Sequence, residues 1–320
     1  MTALRRSPFA ILAALIAIAI LFTIMAQHAG RGGLFWLAVI ILWAIAWAAN
    51  DALADLPLET PALARLRDLA VPAIFGIALL YLWELAVRGF GIPSVLLPAP
   101  SDIGIRLASS LPTLAADFRQ TFLRAVIPGW ALGSLAGFLV AIACDYWGFL
   151  RRGLLPLGNL FAALPIVGVA PIMVMWFGFD WPSKVAVVII MTFFPMLVNA
   201  VTGLAAAGHL ERDLMRSYGA SHWDTLLKLR LPAAMPFIFN ALKINSTLAL
   251  IGAIVAEFFG TPIVGMGFRI STEVGRLGLD MVWAEIAVAA IAGSAFYGAI
   301  ALIERAVTFW HPSYRAARTA

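Results

Sequence analysis

Charged residues are scarce in this sequence: they make up 12% of its 320 residues, whereas 62% are hydrophobic. A water-soluble domain of this length carries about twice that charged fraction. The apolar residues also occur in blocks of about 20, the length that an α-helix needs to cross a bilayer. The composition therefore predicts an all-α polytopic membrane protein.

Several chemical motifs are missing as well. The single cysteine, Cys144, excludes an intramolecular disulfide and a cysteine-based metal site. No stretch reads G-x-x-x-x-G-K-[ST], so no ATP-binding P-loop is predicted on this chain. H-E-x-x-H and G-x-S-x-G are absent too, and we predict neither a metal site nor an enzyme. The net charge of +5 comes without basic runs interleaved with aromatics, so nucleic acid is not a predicted partner.

The apolar blocks predict eight transmembrane helices. The first two form a retained hairpin rather than a signal peptide, because the first apolar run is too long and a second follows at once. Residues 50–70 are predicted to be a cytoplasmic linker, which divides an N-terminal region (1–70) from a transmembrane core (71–320). Both termini are placed in the cytoplasm, because basic residues are more frequent in the segments on that side. The predicted spans are residues 9–26, 34–49, 71–90, 121–143, 154–177, 185–202, 236–259 and 281–309.

Proline and glycine mark the segments between the spans. Pro93, Pro98 and Pro100 forbid a continued helix after the third span. Ser101 and Asp102 then offer an N-cap for a short surface helix. The remaining connections are predicted to be turns over 145–153 and 179–184 and a glycine-rich external loop over 260–280.

The fourth span carries Gly129, Gly133 and Gly137 at four-residue spacing. This places three glycines on one helix face, where they let a second helix approach closely. We interpret them as packing residues rather than ligand contacts.

The fifth span contains Pro156, Pro165 and Pro171. Backbone carbonyls freed by proline at membrane depth are tolerated only beside protein or a water-filled cavity. Pro165 and Pro171 are therefore assigned to a translocation path, with kinking for packing as the alternative.

The seventh span has a polar face that we also assign to the translocation path. Its members are Asn240, Lys243, Ser246 and Thr247. A charge inside a span indicates a functional site, although Lys243 is near enough to the cytoplasmic end to snorkel toward headgroups. Glu257 and Glu285, near external helix ends, can shape the outer mouth; equally, each can cap a helix, form an ion pair or face solvent.

One long polar segment, residues 208–232, interrupts the apolar second half of the chain. It predicts two short helices joined at Gly219, which permits the positive φ of a sharp turn, with Ser221 capping the second helix. Leucines and Tyr218 supply apolar contacts, while Arg212, Asp213 and Arg216 can pair across a partner's groove. The alternative is an amphipathic helix lying on lipid headgroups.

The spacing in this segment resembles a known family pattern, E-A-A-x3-G-x9-I-x-L-P. Here Asp213-Leu214-Met215 precedes Gly219, and Leu229-Arg230-Leu231-Pro232 closes the segment. The pattern is typical of membrane subunits of bacterial binding-protein-dependent ABC importers. Residues 97–101, 165–177 and 215–219 are similar to stretches of the nitrate/sulfonate/taurine-type permeases. Asp213 replaces the family glutamate, and Leu214-Met215 replace the paired alanines.

The resemblance implies a six-helix permease core plus the N-terminal hairpin, in a bacterial inner membrane. It implies an ATP-binding subunit that binds ATP and Mg itself, an external solute-binding protein, a homodimer and surrounding lipid. The transported solute would be small and polar or anionic: a sulfonate, nitrate, or a pyrimidine or vitamin-precursor-like compound. The residues implied to contact the ATPase are Glu211, Arg212, Asp213, Arg216, Tyr218, Gly219, Ala220, Leu231 and Pro232.

Two other function classes remain open at this point. An ion-gradient-driven secondary transporter usually shows duplicated inverted halves, and no clear repeat is visible. A membrane enzyme needs a polar catalytic cluster at one depth, and the sequence indicates none.

Overall fold

A computed structural model describes residues 33–57, 60–162, 165–260 and 263–310. Within these ranges the chain is helical, with no β-strand. The helices are α1 (Gly33–Ala54), α2 (Pro61–Phe90), α3 (Pro100–Ser109), α4 (Leu111–Tyr146), α5 (Gly148–Ala162), α6 (Ile166–Phe177), α7 (Trp181–Ala205), α8 (His209–Ser217), α9 (His222–Glu257), α10 (Met266–Gly275) and α11 (Leu279–Val307). Helices α4 and α9 contain π-helical stretches at Arg119–Val126 and Leu226–Arg230.

Six of these helices are long and apolar enough to cross a membrane: α1, α2, α4, α7, α9 and α11. The predicted class, an all-α polytopic membrane protein, is confirmed. The first predicted span (9–26) and the basic tail (311–320) lie outside the described residues.

The predicted linker over residues 50–70 is too long. Helix α1 continues to Ala54, and α2 begins at Pro61, where the missing N–H of proline suits a helix start. The end of an apolar block therefore does not mark the end of the helix. Helix α2 runs through residue 70, and the domain boundary placed there stays a prediction.

The predicted fifth span is two helices, α5 and α6. Only Pro165 stands at a helix start; Pro156 and Pro171 lie inside α5 and α6 without ending them. The 12 residues of α6 rise only about 18 Å, against about 30 Å of hydrocarbon. Helix α6 therefore does not span by itself.

Three predicted connections contain more helix than expected. Helix α5 begins at Gly148 and α7 at Trp181, where the Asp180 carboxylate accepts the Trp181 N–H at 2.7 Å. The glycine-rich loop holds α10, a short amphipathic helix that hydropathy does not reveal. Helix α3 is the predicted surface helix, beginning at Pro100.

The chain divides into two compact units. The first comprises residues 1–109 and 277–283. Within it, Glu84 of α2 accepts the Ser101 N–H at 2.9 Å, and the Trp83 and Trp283 rings pack edge to face with centroids 4.8 Å apart.

The second unit comprises residues 110–276 and 284–320. Its central helix α7 packs along both α4 and α9. All three packing glycines of α4 face α7: a Cβ at Gly133 would stand 2.8 Å from the Ile189 carbonyl oxygen, and one at Gly129 would stand 2.6 Å from Val188 Cβ. The backbones are therefore too close for any side chain at these positions.

A buried amide joins the same three helices. Asn245 of α9, fully buried, donates to the Ser134 hydroxyl of α4 at 2.9 Å and to the Thr192 carbonyl of α7 at 2.7 Å. Hydrogen bonds of this kind hold helices together where water is absent. They complement the close glycine packing of α4 against α7.

Candidate functional site: the segment between α7 and α9

The polar segment forms helix α8, a tight turn and the first turns of α9. At the end of α8 the Gly219 N–H donates to the Arg216 carbonyl (2.9 Å), and the following N–H donates to the Met215 carbonyl (3.0 Å). This pair of bonds is the usual termination of a helix by glycine. Gly219 has φ +68°, which residues with a Cβ adopt only at a cost. The Ser221 hydroxyl then accepts the N–H three residues on, at 3.1 Å, and caps α9.

One face of α8 is apolar and uncovered. Leu210, Leu214 and Tyr218 follow one another at four-residue spacing and are 85%, 57% and 82% exposed. Trp223 and Leu227 of α9 are exposed as well. Leu214, which stands where the family pattern has alanine, adds to this surface instead of packing into the bundle. An uncovered row of large apolar residues on a polar segment is typical of a binding surface.

Charged residues flank this apolar face. Asp213 and Arg216 form an exposed ion pair at 3.4 Å. A pair this exposed contributes little to stability and can exchange its partner readily. Exposed Glu211 folds its carboxylate back over Gly208, at the helix N-terminus where negative charge is favourable.

Arg212 turns toward the bundle, unlike the exposed Asp213 and Arg216, and its pairing across a partner's groove stays a prediction. Its guanidinium donates to the carbonyl oxygens of Ala205 (2.8 Å) and Ala207 (2.9 Å). The carbonyls in the last turn of a helix lack intrahelical partners, and they are the groups that α7 presents here. Arg212 therefore caps α7.

Arg230 makes a second attachment of the segment to the bundle. Its guanidinium donates hydrogen bonds to both carboxylate oxygens of Asp145 at the end of α4, one of them at 2.7 Å. It also donates to the Leu204 carbonyl of α7 at 2.9 Å. Both ionic side chains are largely buried, at 14% and 10% exposed. His222 lies 3.7 Å from the same carboxylate.

Sequence reasoning missed Asp145 and placed it in a turn. The signal available in the sequence was an acidic residue, Asp145, at the end of one apolar span and a basic residue, Arg230, before the start of another, both on the predicted cytoplasmic side.

Apolar contacts complete this attachment. Leu226 is 2% exposed and belongs to the core formed by α4, α7 and α9. Ala220, Leu231 and Pro232 are half-buried at the junction between the segment and α9. The segment thus has one face fixed to the bundle and another that is open.

The structure separates the residues assigned to the translocation path. Asn240 and Thr247 are exposed on α9, whereas Ser246 is buried and donates to the Lys243 carbonyl at 2.7 Å. Lys243 pairs with the buried Glu304 of α11 at 2.7 Å, so it does not snorkel toward an end of the bundle.

The four residues therefore do not form one open polar face. Pro165 is exposed and Pro171 half-buried on α6. Their assignment to a path stays a prediction.

Comparison with known proteins gives a consistent result. Residues 133–309 match the family described as binding-protein-dependent transport system inner membrane component. The formylaminopyrimidine transport permease protein of Halalkalibacterium halodurans is 31% identical over 242 residues, covering 75% of this chain and 95% of that protein. The riboflavin transport system permease protein of Chloroflexus aurantiacus is 28% identical over 73% of this chain and 88% of its own length. A putative aliphatic sulfonates transport permease protein of Bacillus subtilis is 26% identical over 78% and 89%.

These permeases leave ATP hydrolysis to separate ATP-binding subunits and depend on a solute-binding protein. The helical bundle described above is the matching multi-pass architecture. The chain therefore belongs to the family of binding-protein-dependent transport system inner membrane components and is a permease subunit of an ATP-driven importer.

Proposed function

We propose that residues 208–232 dock on the ATP-binding subunit and transmit its movement to the bundle. The observation that carries this proposal is the division of the segment into two faces. Leu210, Leu214 and Tyr218 are open to a partner, while Arg212 and Arg230 hold the segment to α4 and α7. A lipid-bound amphipathic helix would not need this buried ionic attachment.

With this docking we further propose that the segment faces the cytoplasm, where ATP is available, and that both chain termini lie on that side. The opposite ends of α7 and α9 then face the solute-binding protein. ATP and Mg²⁺ are bound by the partner ATPase and not by this chain.

Site-directed crosslinking tests the docking. In a background with Cys144 replaced by alanine, a cysteine at Tyr218 should crosslink to the ATP-binding subunit of the purified complex. A cysteine at Ile263 is the matched control, because that side chain is 80% exposed against 82% for Tyr218 but lies next to α10. Equal crosslinking at both positions, or none at Tyr218, would refute the docking.

We further propose that the solute is a small polar or anionic compound. The support is the range of solutes named for related permeases, which covers formylaminopyrimidine, riboflavin and aliphatic sulfonates, with taurine and nitrate for two more. The exposed stripe of α9 with Asn240 and Thr247 would lie along its path.

The test is a titration of the partner solute-binding protein with these five ligands. Saturable binding of one of them is expected, and failure of all five would refute the assignment.

The assembly is proposed to contain two copies of this chain with two ATP-binding subunits. Native mass spectrometry of the purified complex distinguishes this arrangement from one copy paired with a different permease. A complex containing one copy of this chain would refute the homodimer.

A further inference from the structure

A cluster of buried acidic residues lies at the end of the second unit opposite the polar segment. Asp117 of α4, Glu257 of α9 and Glu285 of α11 are 0%, 2% and 0% exposed. Of the alternatives left open for Glu257 and Glu285, exposure at an outer mouth does not fit these buried side chains. Three carboxyl groups in one buried cluster raise the question of what neutralises each of them.

Two of the three carboxylates are fully engaged with the start of α10. Asp117 accepts the Gly265 N–H at 2.7 Å and the Arg269 Nε at 2.8 Å. The same hydrogen bond raises the pKa of the Arg269 guanidinium further above its usual value. Asp117 thus faces a guanidinium, which stays charged in proteins, and has a donor on each carboxylate oxygen.

Glu257 is held in the same way. Its carboxylate accepts the Thr121 hydroxyl at 2.8 Å and the Gly267 N–H at 2.7 Å. Thr121 in turn accepts the Met266 N–H at 2.8 Å. Three successive N–H groups at the start of α10 are thus each satisfied by a side chain of α4 or α9.

Glu285 finds no such donor among the residues that the structure describes. Within that part of the chain neither of its carboxylate oxygens has a hydrogen-bond partner, although both are buried. Its carboxyl group lies within hydrogen-bonding reach of Asp117, and Arg269 and Glu257 are the other charged groups that act on it. Lys184 of α7, also buried, donates to the carbonyls of Phe179 and Gly260 and is occupied there.

An ionised Glu285 would place a second buried carboxylate against Asp117 with no donor for either oxygen. A protonated Glu285 removes this repulsion, and its O–H supplies the donor that the pair lacks. We propose that Glu285 is a buried protonation site that donates a hydrogen bond to the carboxylate of Asp117. The neutral acid and its carboxylate partner then link α11 to α4 and, through Arg269, to α10.

The link depends on the proton. Deprotonation leaves two adjoining carboxylates, while the donors around them are already used by Asp117 and Glu257. The junction of α4, α10 and α11 is therefore expected to loosen as the pH rises.

Infrared spectroscopy of the purified full-length protein tests the assignment directly. At neutral pH the wild type should show the C=O stretching band of a buried protonated carboxylic acid. Glu285→Gln should lose this band, Glu257→Gln should retain it, and Asp117→Asn should shift it because the acceptor loses its charge. No such band in the wild type, or a band that disappears with Glu257→Gln and not with Glu285→Gln, would overturn the proposal.

A stability measurement gives an independent readout. Glutamine at position 285 keeps a donor for Asp117 but has no titrating proton, so Glu285→Gln should still fold. As the pH is raised into the alkaline range, its melting temperature should decrease less than that of the wild type. Glu285→Met should melt at a lower temperature than Glu285→Gln at every pH, since it offers no donor. Equal alkaline sensitivity of the wild type and Glu285→Gln would overturn the proposal, as would stabilisation of the wild type by sodium ions in place of a proton.

Discussion

The attachment of the polar segment through Arg230 and Asp145 makes a quantitative prediction. Asp145→Asn removes the negative charge and one of the two acceptor oxygens that Arg230 contacts, while the asparagine Oδ1 and the Leu204 carbonyl remain as neutral acceptors. Because the two ionic side chains are only 14% and 10% exposed, the guanidinium would be left partly buried without its counter-charge.

The magnitude follows from this burial. Removing one partner of a buried ion pair costs about 3–5 kcal/mol. Because both side chains keep some exposure, we expect a cost at the lower end of this range, about 3 kcal/mol. At 1.4 kcal/mol per factor of ten, this corresponds to roughly a hundredfold change in the equilibrium between the attached and the detached segment. Such a loss would separate movement of the segment from movement of α4 and α7.

The assay is import and ATP hydrolysis by the complex reconstituted in vesicles with its ATP-binding subunits and solute-binding protein. In Asp145→Asn the import rate should fall by about tenfold or more, whereas the ATP-binding subunits stay bound and continue to hydrolyse ATP. The exposed Asp68 of α2, paired with Arg67 at 2.8 Å and outside the polar segment, supplies the control, and Asp68→Asn should leave both rates unchanged.

A double-mutant cycle then separates the contact from general damage. If Asp145 and Arg230 act as a pair, Asp145→Asn with Arg230→Gln should cost less than the sum of the two single changes. Strict additivity, or an import rate per ATP equal to that of the wild type in Asp145→Asn, would refute the reasoning.

Substitutions at three further sites test the packing, the turn and the buried ion pair. Gly133→Ala should lower the melting temperature in detergent, because overpacking costs about 1–3 kcal/mol. Gly76→Ala is the control: this glycine has open space around it, so alanine should gain up to about 1 kcal/mol of helix propensity. Equal melting temperatures of the two variants would contradict the close approach of α4 and α7. Gly219→Val should weaken co-purification of the ATP-binding subunit more than Gly219→Asn, since asparagine tolerates the left-handed conformation better, and equal co-purification would speak against the turn. Lys243→Met should destabilise the protein by about 3 kcal/mol by leaving Glu304 buried and unpaired, and adding Glu304→Gln should restore its melting temperature. Normal stability and uptake in Lys243→Met would exclude both the pairing and the path assignment.

The sequence predicted those features that depend on local chemistry. Apolar block length identified all six long helices in the described residues, although not their ends, and the positions of Gly219 and Ser221 indicated the turn and cap of the polar segment. These features can be predicted because helix length, φ at glycine and capping depend on residues within a few positions of one another.

The sequence did not predict features that join distant parts of the chain. Arg212 looks like a surface base beside Asp213, and only the carbonyls left free at the end of α7 explain why it turns inward. Helix α10 is too short and too polar for hydropathy to find, and its first turn is held by Asp117, which lies 148 residues from Gly265. Hydrogen-bond partners of this kind require the tertiary arrangement, which periodicity does not contain.

The arginine contacts converge on the C-terminal end of α7, and the proposed docking would act on the bundle through this helix end. Arg230 binds the carbonyl of Leu204, and Arg212 binds those of Ala205 and Ala207. The Leu204 and Ala205 carbonyls lie in the last turn of α7 and carry the partial negative charge of the helix end, so both guanidinium groups are held by the helix dipole as well as by hydrogen bonds. Since α7 packs along both α4 and α9, the proposed displacement of α8 would reach the centre of the bundle through one helix end, and the Asp145 contact would couple it to α4 as well.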